Sequence, residues 1–206
     1  MFKSDGKIFS LLIGNHLDSC KEDVKKMQNI LKKYNSDIKT CLDCNPKKEL
    51  LSYLKYRNMQ KNDIFILHFS GHGERIGRKI KNKVELVSTW LNIDKTYTYS
   101  FEICDILSRL NCKIFLFSDS CHSGNFSNFY NGNNPFIFIG SSKFVNKSDD
   151  YKFDNKYSGA LVNLFEYFIT KTDIYNLNIN KLKELTYEFY KINKIKIKPV
   201  IIYKNF

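Results

Sequence analysis

Apolar residues along this chain recur with two different spacings. Short apolar, β-branched runs cover residues 7–13, 37–42, 63–69, 113–117 and 135–140, and each reads as a strand. Two of them, 63–69 and 113–117, are almost continuously apolar, as strands buried on both faces are. Between them the spacing changes to the helical one. Residues 18–34 carry Val24, Met27, Ile30 and Leu31 at helical intervals with charges between. Asn45-Pro46 is a helix start, an N-cap followed by proline at the first helical position, leading into Leu50, Leu51 and Leu54. Residues 100–110, 159–169 and 178–191 complete the set of helices. Residues 74–99 are less regular and suggest a small hairpin or flap, and the Asn- and Gly-rich stretch 125–134 reads as a loop. Residues 191–198 alternate lysine with isoleucine, the pattern of a half-buried strand. A closing strand over 195–203 contains Pro199, which places it at an edge or an irregular position.

This alternation predicts an α/β fold with a mostly parallel sheet of roughly six strands and helices on both faces. A chain of 206 residues without repeats or a long linker forms one domain, 1–206. In such sheets functional groups gather at the carboxyl ends of the strands. Two segments sit there: Ser70-Gly71-His72-Gly73, and Asp119-Ser120-Cys121-His122-Ser123-Gly124.

Composition narrows the possibilities. The net charge of +12 raises nucleic-acid binding, but only four of the basic residues are arginines and the lysines are scattered. A solvated lysine surface is expected, with no specific nucleic-acid partner. No apolar run reaches membrane-spanning length, and the one near the N-terminus is too short for a signal peptide. The expectation is a cytoplasmic protein with no membrane partner. Six cysteines (Cys20, Cys41, Cys44, Cys104, Cys112 and Cys121) suit such a reducing compartment. Cys41-Leu42-Asp43-Cys44 is a lone C-x-x-C without the second pair that zinc requires.

A thiol is a weak nucleophile until a base or a positive neighbour draws off its proton. An imidazole across the crevice supplies that base and then protonates the leaving amine. Alone, His72 reads as a turn histidine and Cys121 as a small buried residue. Together, each at a strand's carboxyl end and with glycines close by, they read as a catalytic pair. His68 lies inside an apolar run and points into packing, and His122 adjoins the cysteine too closely to face it. His72 is the better base.

The two segments resemble the signature blocks of metacaspases, members of the caspase-like clan. The histidine precedes the cysteine by about fifty residues, as in caspases, while the Q-A-C-x-G block of true caspases is absent. Leu11-Leu12-Ile13-Gly14 and Leu17-Asp18-Ser19-Cys20-Lys21-Glu22-Asp23 resemble the family's opening strand and its Leu-x-Gly-Cys-x-x-Asp segment, with serine replacing glycine. Ile139-Gly140-Ser141-Ser142 and Ser158-Gly159-Ala160 resemble a shortened small-subunit region. The resemblance implies a caspase-like fold, with about 1–130 as the large-subunit-like part and about 131–206 as the small one. It implies a cysteine endopeptidase with Cys121 as nucleophile and His72 as general acid/base. The oxyanion donors would be the amides of Gly73 and Cys121. It also implies cleavage of protein or peptide substrates after Arg or Lys, in a pocket formed by Cys20, Asp23, Ser70 and Asp119. Two carboxylates pair well with a guanidinium or ammonium.

Departures from the family pattern matter as well. Tyr99-Ser100-Phe101 precedes Glu102 where paired aspartates are usual, and Asn128 stands where an acid is expected after the nucleophile. Asp94, Glu85 and Glu102 make no obvious calcium set, so no metal and no cofactor are expected. The link 143–156 is short, which leaves little room for self-processing; Lys143, Lys147 and Lys152 are the candidate cut points. Metacaspases are usually monomeric, and Pro199 near the last strand supports a monomer. The alternatives are a catalytically silent caspase-fold binding protein, and a peptidase with Asn or Asp at P1. Asp23 and Asp119 oppose an acidic P1 residue by like-charge repulsion.

Overall fold

The computed structural model describes residues 6–80, 82–143, 151–153, 156–176, 179–196 and 199–205. The chain alternates strand and helix: β1 (Ile8–Gly14), α1 (Asp18–Lys32), β2 (Asp37–Leu42), α2 (Pro46–Leu54) and β3 (Ile64–Ser70). A three-stranded insertion follows, β4 (Gly73–Ile80), β5 (Lys83–Leu91) and β6 (Tyr97–Tyr99), and then α3 (Ser100–Leu107) and β7 (Lys113–Asp119). The remainder comprises β8 (Phe136–Gly140), the short hairpin β9 (Tyr151–Phe153) and β10 (Lys156–Ser158), α4 (Ala160–Lys171), α5 (Ile179–Ile192) and β11 (Val200–Lys204).

Six strands form the main sheet in the order β11-β8-β7-β3-β1-β2, parallel throughout except for β11. Side chains alternate across each strand, and the core divides accordingly. Ile64 and Ile66 of β3 join Val24 and Met27 of α1 and Phe165 of α4 on one face. Phe65, Leu67 and Phe69 join Leu50 of α2 and Ile103 of α3 on the other. Strands apolar on both faces are thus buried between two helical layers, as their continuous apolar runs require.

The capping of α2 follows the sequence: the Asn45 side chain accepts the Lys48 amide at 3.1 Å and Pro46 opens the helix. The insertion at 74–99 is the expected flap, an antiparallel sheet in the order β4-β5-β6. Two expectations are corrected. Residues 191–196 of the alternating lysines and isoleucines do not form a strand. Lys191 and Ile192 finish α5, Lys194 turns left-handed at φ 54°, and buried Ile195 folds back to donate its amide to the Tyr190 carbonyl. The closing strand begins only at Val200, directly after Pro199, and it is an edge strand. Residues 197 and 198 lie outside the described residues. The Asn- and Gly-rich stretch is partly a 3-10 helix, Ser123–Phe129, because Phe126 at its middle is fully buried against Trp90.

Candidate active site

Register decides what meets at the top of the sheet. Gly14, Ser70 and Asp119 are direct partners across β1, β3 and β7, so the three central strands end level. Parallel neighbours lie about 4.8 Å apart, which makes the chain emerging from β3 towards His72 and the chain emerging from β7 towards Cys121 leave side by side. The Gly71 amide donates to the Asp119 carbonyl at 3.1 Å and ties the two exits together. Gly73 then packs so closely on the Cys121 loop that a Cβ there would lie 2.3 Å from the Cys121 carbonyl oxygen and 3.0 Å from the Ser120 side chain. Only glycine fits this approach.

The result is a cavity of about 610 Å³ lined by His72, Gly73, Cys121 and His122. Cys121 is a half-buried thiol outside any disulfide, and His72 is exposed. Glu74, Arg75 and Leu91 complete the lining. His122 sits left-handed at φ 56°, the kink that ends the strand exit and starts the 3-10 helix. His68, by contrast, is wholly buried among the β3 residues, and burial pushes its imidazole down to about 4. It is a neutral core residue, as its place in the apolar run indicated.

The four expected pocket residues divide. Asp23, Ser70 and Asp119 come together on the α1/α4 face of the sheet. The Ser70 hydroxyl donates to Asp23 Oδ2 at 2.7 Å, the Gly159 amide to Asp23 Oδ1 at 2.9 Å, and the Leu161 amide to Asp119 Oδ2 at 3.1 Å. A Cβ on Gly159 would strike Asp119 Oδ2 at 1.9 Å, so both carboxylates converge on the start of α4. Amides at a helix N-terminus favour acceptors there. Asp23 is 1 % exposed and Asp119 7 %, and neither lines the His72–Cys121 cavity. Cys20 is buried one turn before Asp23 on α1.

Several supporting residues surround the Cys121 loop, of which Trp90 and His16 carried no sequence signal. Trp90 of β5 stacks between Phe69 and Phe126 at centroid distances of 4.4 and 4.6 Å, and its indole donates to Ser118 Oγ at 2.8 Å. Ser118 Oγ lies 3.0 Å from Ser120 Oγ, directly before Cys121. Ser141 and Ser142 hold the Ser120 carbonyl from the end of β8, each at 3.3 Å. The Leu91 amide donates to the His72 carbonyl at 3.0 Å, and His16 places its ring 5.6 Å from that of His72. A lone tryptophan in an irregular stretch and a histidine after a strand both read as ordinary surface or core residues until the flap is folded down.

A caspase-domain model matches residues 8–183. The chain belongs to the caspase family of cysteine peptidases. No curated protein matches the sequence. Among solved structures, a protein from Geobacter sulfurreducens is similar at 15 % identity with a TM-score of 0.73, over 97 % of this chain and 94 % of that one. At that identity the likeness concerns the fold, and the caspase-like sheet with its flanking helices agrees with it. The residues that stand where a calcium site would be are otherwise engaged. Glu102 accepts the Tyr99 amide at 3.0 Å as a helix cap and pairs with Lys47 at 2.7 Å, Asp94 accepts from Thr96, and the Asn128 amide donates to Asn125. Among the described residues, no three His, Cys, Asp or Glu side chains cluster as metal ligands. No helix among the described residues is long and apolar enough to cross a membrane.

Proposed function

We propose that this caspase-family chain is an active endopeptidase of the metacaspase type, with Cys121 as nucleophile and His72 as general acid/base, cleaving after Arg or Lys without calcium. The observation that carries the reading is the single cavity shared by His72 and Cys121, with Gly73 packed on the nucleophile's own carbonyl. In the first step Cys121 Sγ attacks the scissile carbonyl carbon while His72 takes the thiol proton. The amides of Gly73 and Cys121 hold the oxyanion. Collapse breaks the C–N bond, and His72 returns the proton to the leaving amine. Water, activated by His72, then breaks the thioester and frees the new carboxyl end.

Support for a basic P1 residue comes from Asp23 and Asp119, which are buried together beside Ser70. Each carboxylate oxygen accepts more than one hydrogen bond, so a P1 guanidinium that reached them from the His72–Cys121 cavity, which neither carboxylate lines, would share them with the Gly159 and Leu161 amides. Calcium independence rests on the engagement of Glu102, Asp94 and Asn128 elsewhere. The cysteines among the described residues form no disulfide, in keeping with a reducing compartment such as the cytoplasm. Self-processing would have to use Lys143 or Lys152 or Lys147, the last of which lies outside the described residues.

The test is cleavage of fluorogenic peptides carrying Arg, Lys, Asp or Asn at P1, with calcium and with a chelator. Arg and Lys peptides are expected to be cut in chelator, with cleavage falling to background in Cys121→Ala and by roughly 10²-fold or more in His72→Ala. Asp23→Asn and Asp119→Asn should raise KM for the Arg peptide by about tenfold or more while leaving Cys121 open to alkylation. Cleavage only after Asp or Asn overturns the pocket and keeps the dyad. No cleavage under any condition favours the binding-protein reading.

A further inference from the structure

The C-x-x-C segment has no part in the proposed chemistry, yet it is joined to the active-site wall. Cys41 sits near the end of β2 on the face that also carries Asp37 and Lys39, and Asp43 turns left-handed at φ 51°, which brings Cys44 back over it. Both cysteines lie outside any disulfide and are partly exposed, and each thiol is close enough to the other to perturb its ionisation. The loop they bracket is clamped to the chain leaving β1. Fully buried Asn15 accepts the Cys44 amide at 3.0 Å and donates to the Cys44 carbonyl at 2.9 Å and the Leu91 carbonyl at 3.2 Å. The His16 amide donates to Asp43 Oδ1 at 2.8 Å, and its ring nitrogen lies 3.3 Å from the same Leu91 carbonyl. Leu91 in turn holds the His72 carbonyl and lines the cavity.

We infer that Cys41 and Cys44 form a reversible dithiol–disulfide site, oxidised by low-molecular-weight disulfides, whose state is transmitted through Asn15 and His16 to the His72 wall of the cleft. Cys41 thiolate attacks one sulfur of a disulfide such as oxidised glutathione and expels a glutathione thiolate. Cys44 thiolate then attacks Cys41 Sγ and expels the second. Two electrons pass to glutathione, and the two protein thiol protons accompany them. Burial raises both thiols above their ordinary range, Cys44 the more, so Cys41 is the attacking group. Reduced thiols that are not stabilised as thiolates make the disulfide a weak oxidant, stable once formed. Closing the sulfurs to about 2.05 Å tightens the Asp43 turn. Its backbone cannot move without disturbing the Asn15 and His16 contacts.

The experiment uses full-length Cys121→Ala protein with isotope-labelled histidine, equilibrated in glutathione redox buffers. Acid quenching, alkylation and peptide mass spectrometry read the thiols, and imidazole NMR reads the cleft. A Cys41–Cys44 disulfide that dithiothreitol reverses is expected, together with shifted His16 and His72 signals and an unshifted His68 signal. Cys41→Ser and Cys44→Ser, each added to this background, should abolish the shifts. Both thiols remaining alkylatable in oxidised glutathione alone, or only mixed disulfides with glutathione, overturns the site. A disulfide with unmoved His16 and His72 signals overturns the coupling. Neither readout depends on peptide cleavage, so a failure here is distinct from a failure of the peptidase reading.

Discussion

His68 shows what a single side chain contributes when it is buried between apolar layers. It shares its face of β3 with Ile64 and Ile66, one step below Ser70, and neither ring nitrogen has a hydrogen-bond partner. Burial holds the native imidazole at about 4, against about 6.5 when unfolded. A depressed histidine pKa means that the unfolded chain binds a proton first as pH falls. The stability it permits is therefore intact above about pH 6.5 and lost progressively towards pH 4, by about 3 kcal/mol in all. Urea unfolding at pH 7, 5.5 and 4.5 measures this. The stability of His68→Leu relative to the unsubstituted protein should grow by roughly 2 kcal/mol over the interval, and parallel pH profiles would show that His68 is not the group responsible. Gly73 and Gly159 contribute at the same scale in the opposite way, by lacking a side chain where Cys121 and Asp119 approach.

Among the elements, the flap β4–β5–β6 matters most to the site, because it carries both ends of a support. Gly73 pairs with Trp90 across β4 and β5, so the residue that touches the Cys121 carbonyl is fixed by the residue that reaches Ser118. Trp90→Phe keeps the stack between Phe69 and Phe126 and deletes the indole donor. We expect a loss of about 1–2 kcal/mol in urea unfolding, together with a several-fold drop in peptide cleavage as the Ser118–Ser120 pair loosens. A stability loss with unchanged cleavage would confine Trp90 to packing. Helix α4 has a comparable influence on the pocket, since its first turn places amides on both Asp23 and Asp119.

For the molecule as a whole, the sheet has two exposed edges, and neither invites a second copy. Strand β11 is five residues long, follows a proline that has no amide hydrogen, and ends at Lys204. Strand β2 carries the Asp37–Arg57 and Lys39–Glu49 ion pairs in its first half. A net charge of +12 adds repulsion between copies. Sedimentation at micromolar concentration and moderate salt should give one species near 24.3 kDa. A stable dimer would show that an edge or a helical face is paired after all.

The strand–helix alternation, the buried central strands, the α2 cap and the His72 and Cys121 segments were legible from residue order alone, because each depends on local periodicity or on a short motif. The continuous apolar runs at 63–69 and 113–117 required helices on both sides, and helices cover both. What the order of residues could not decide was register and close approach. Nothing local states that Gly14, Ser70 and Asp119 end level, that Trp90 reaches Ser118, or that Asn15 joins Cys44 to Leu91, since these contacts span 28 to 105 residues of chain. The tail was misread for the same reason. A period of two in Lys and Ile fits a strand locally, but Leu182, Leu185 and Phe189 needed the face of α5 against the core, and the helix ran on through Ile192. Periodicity fixes which side of an element is apolar; only the packed sheet determines which residues from distant elements meet there.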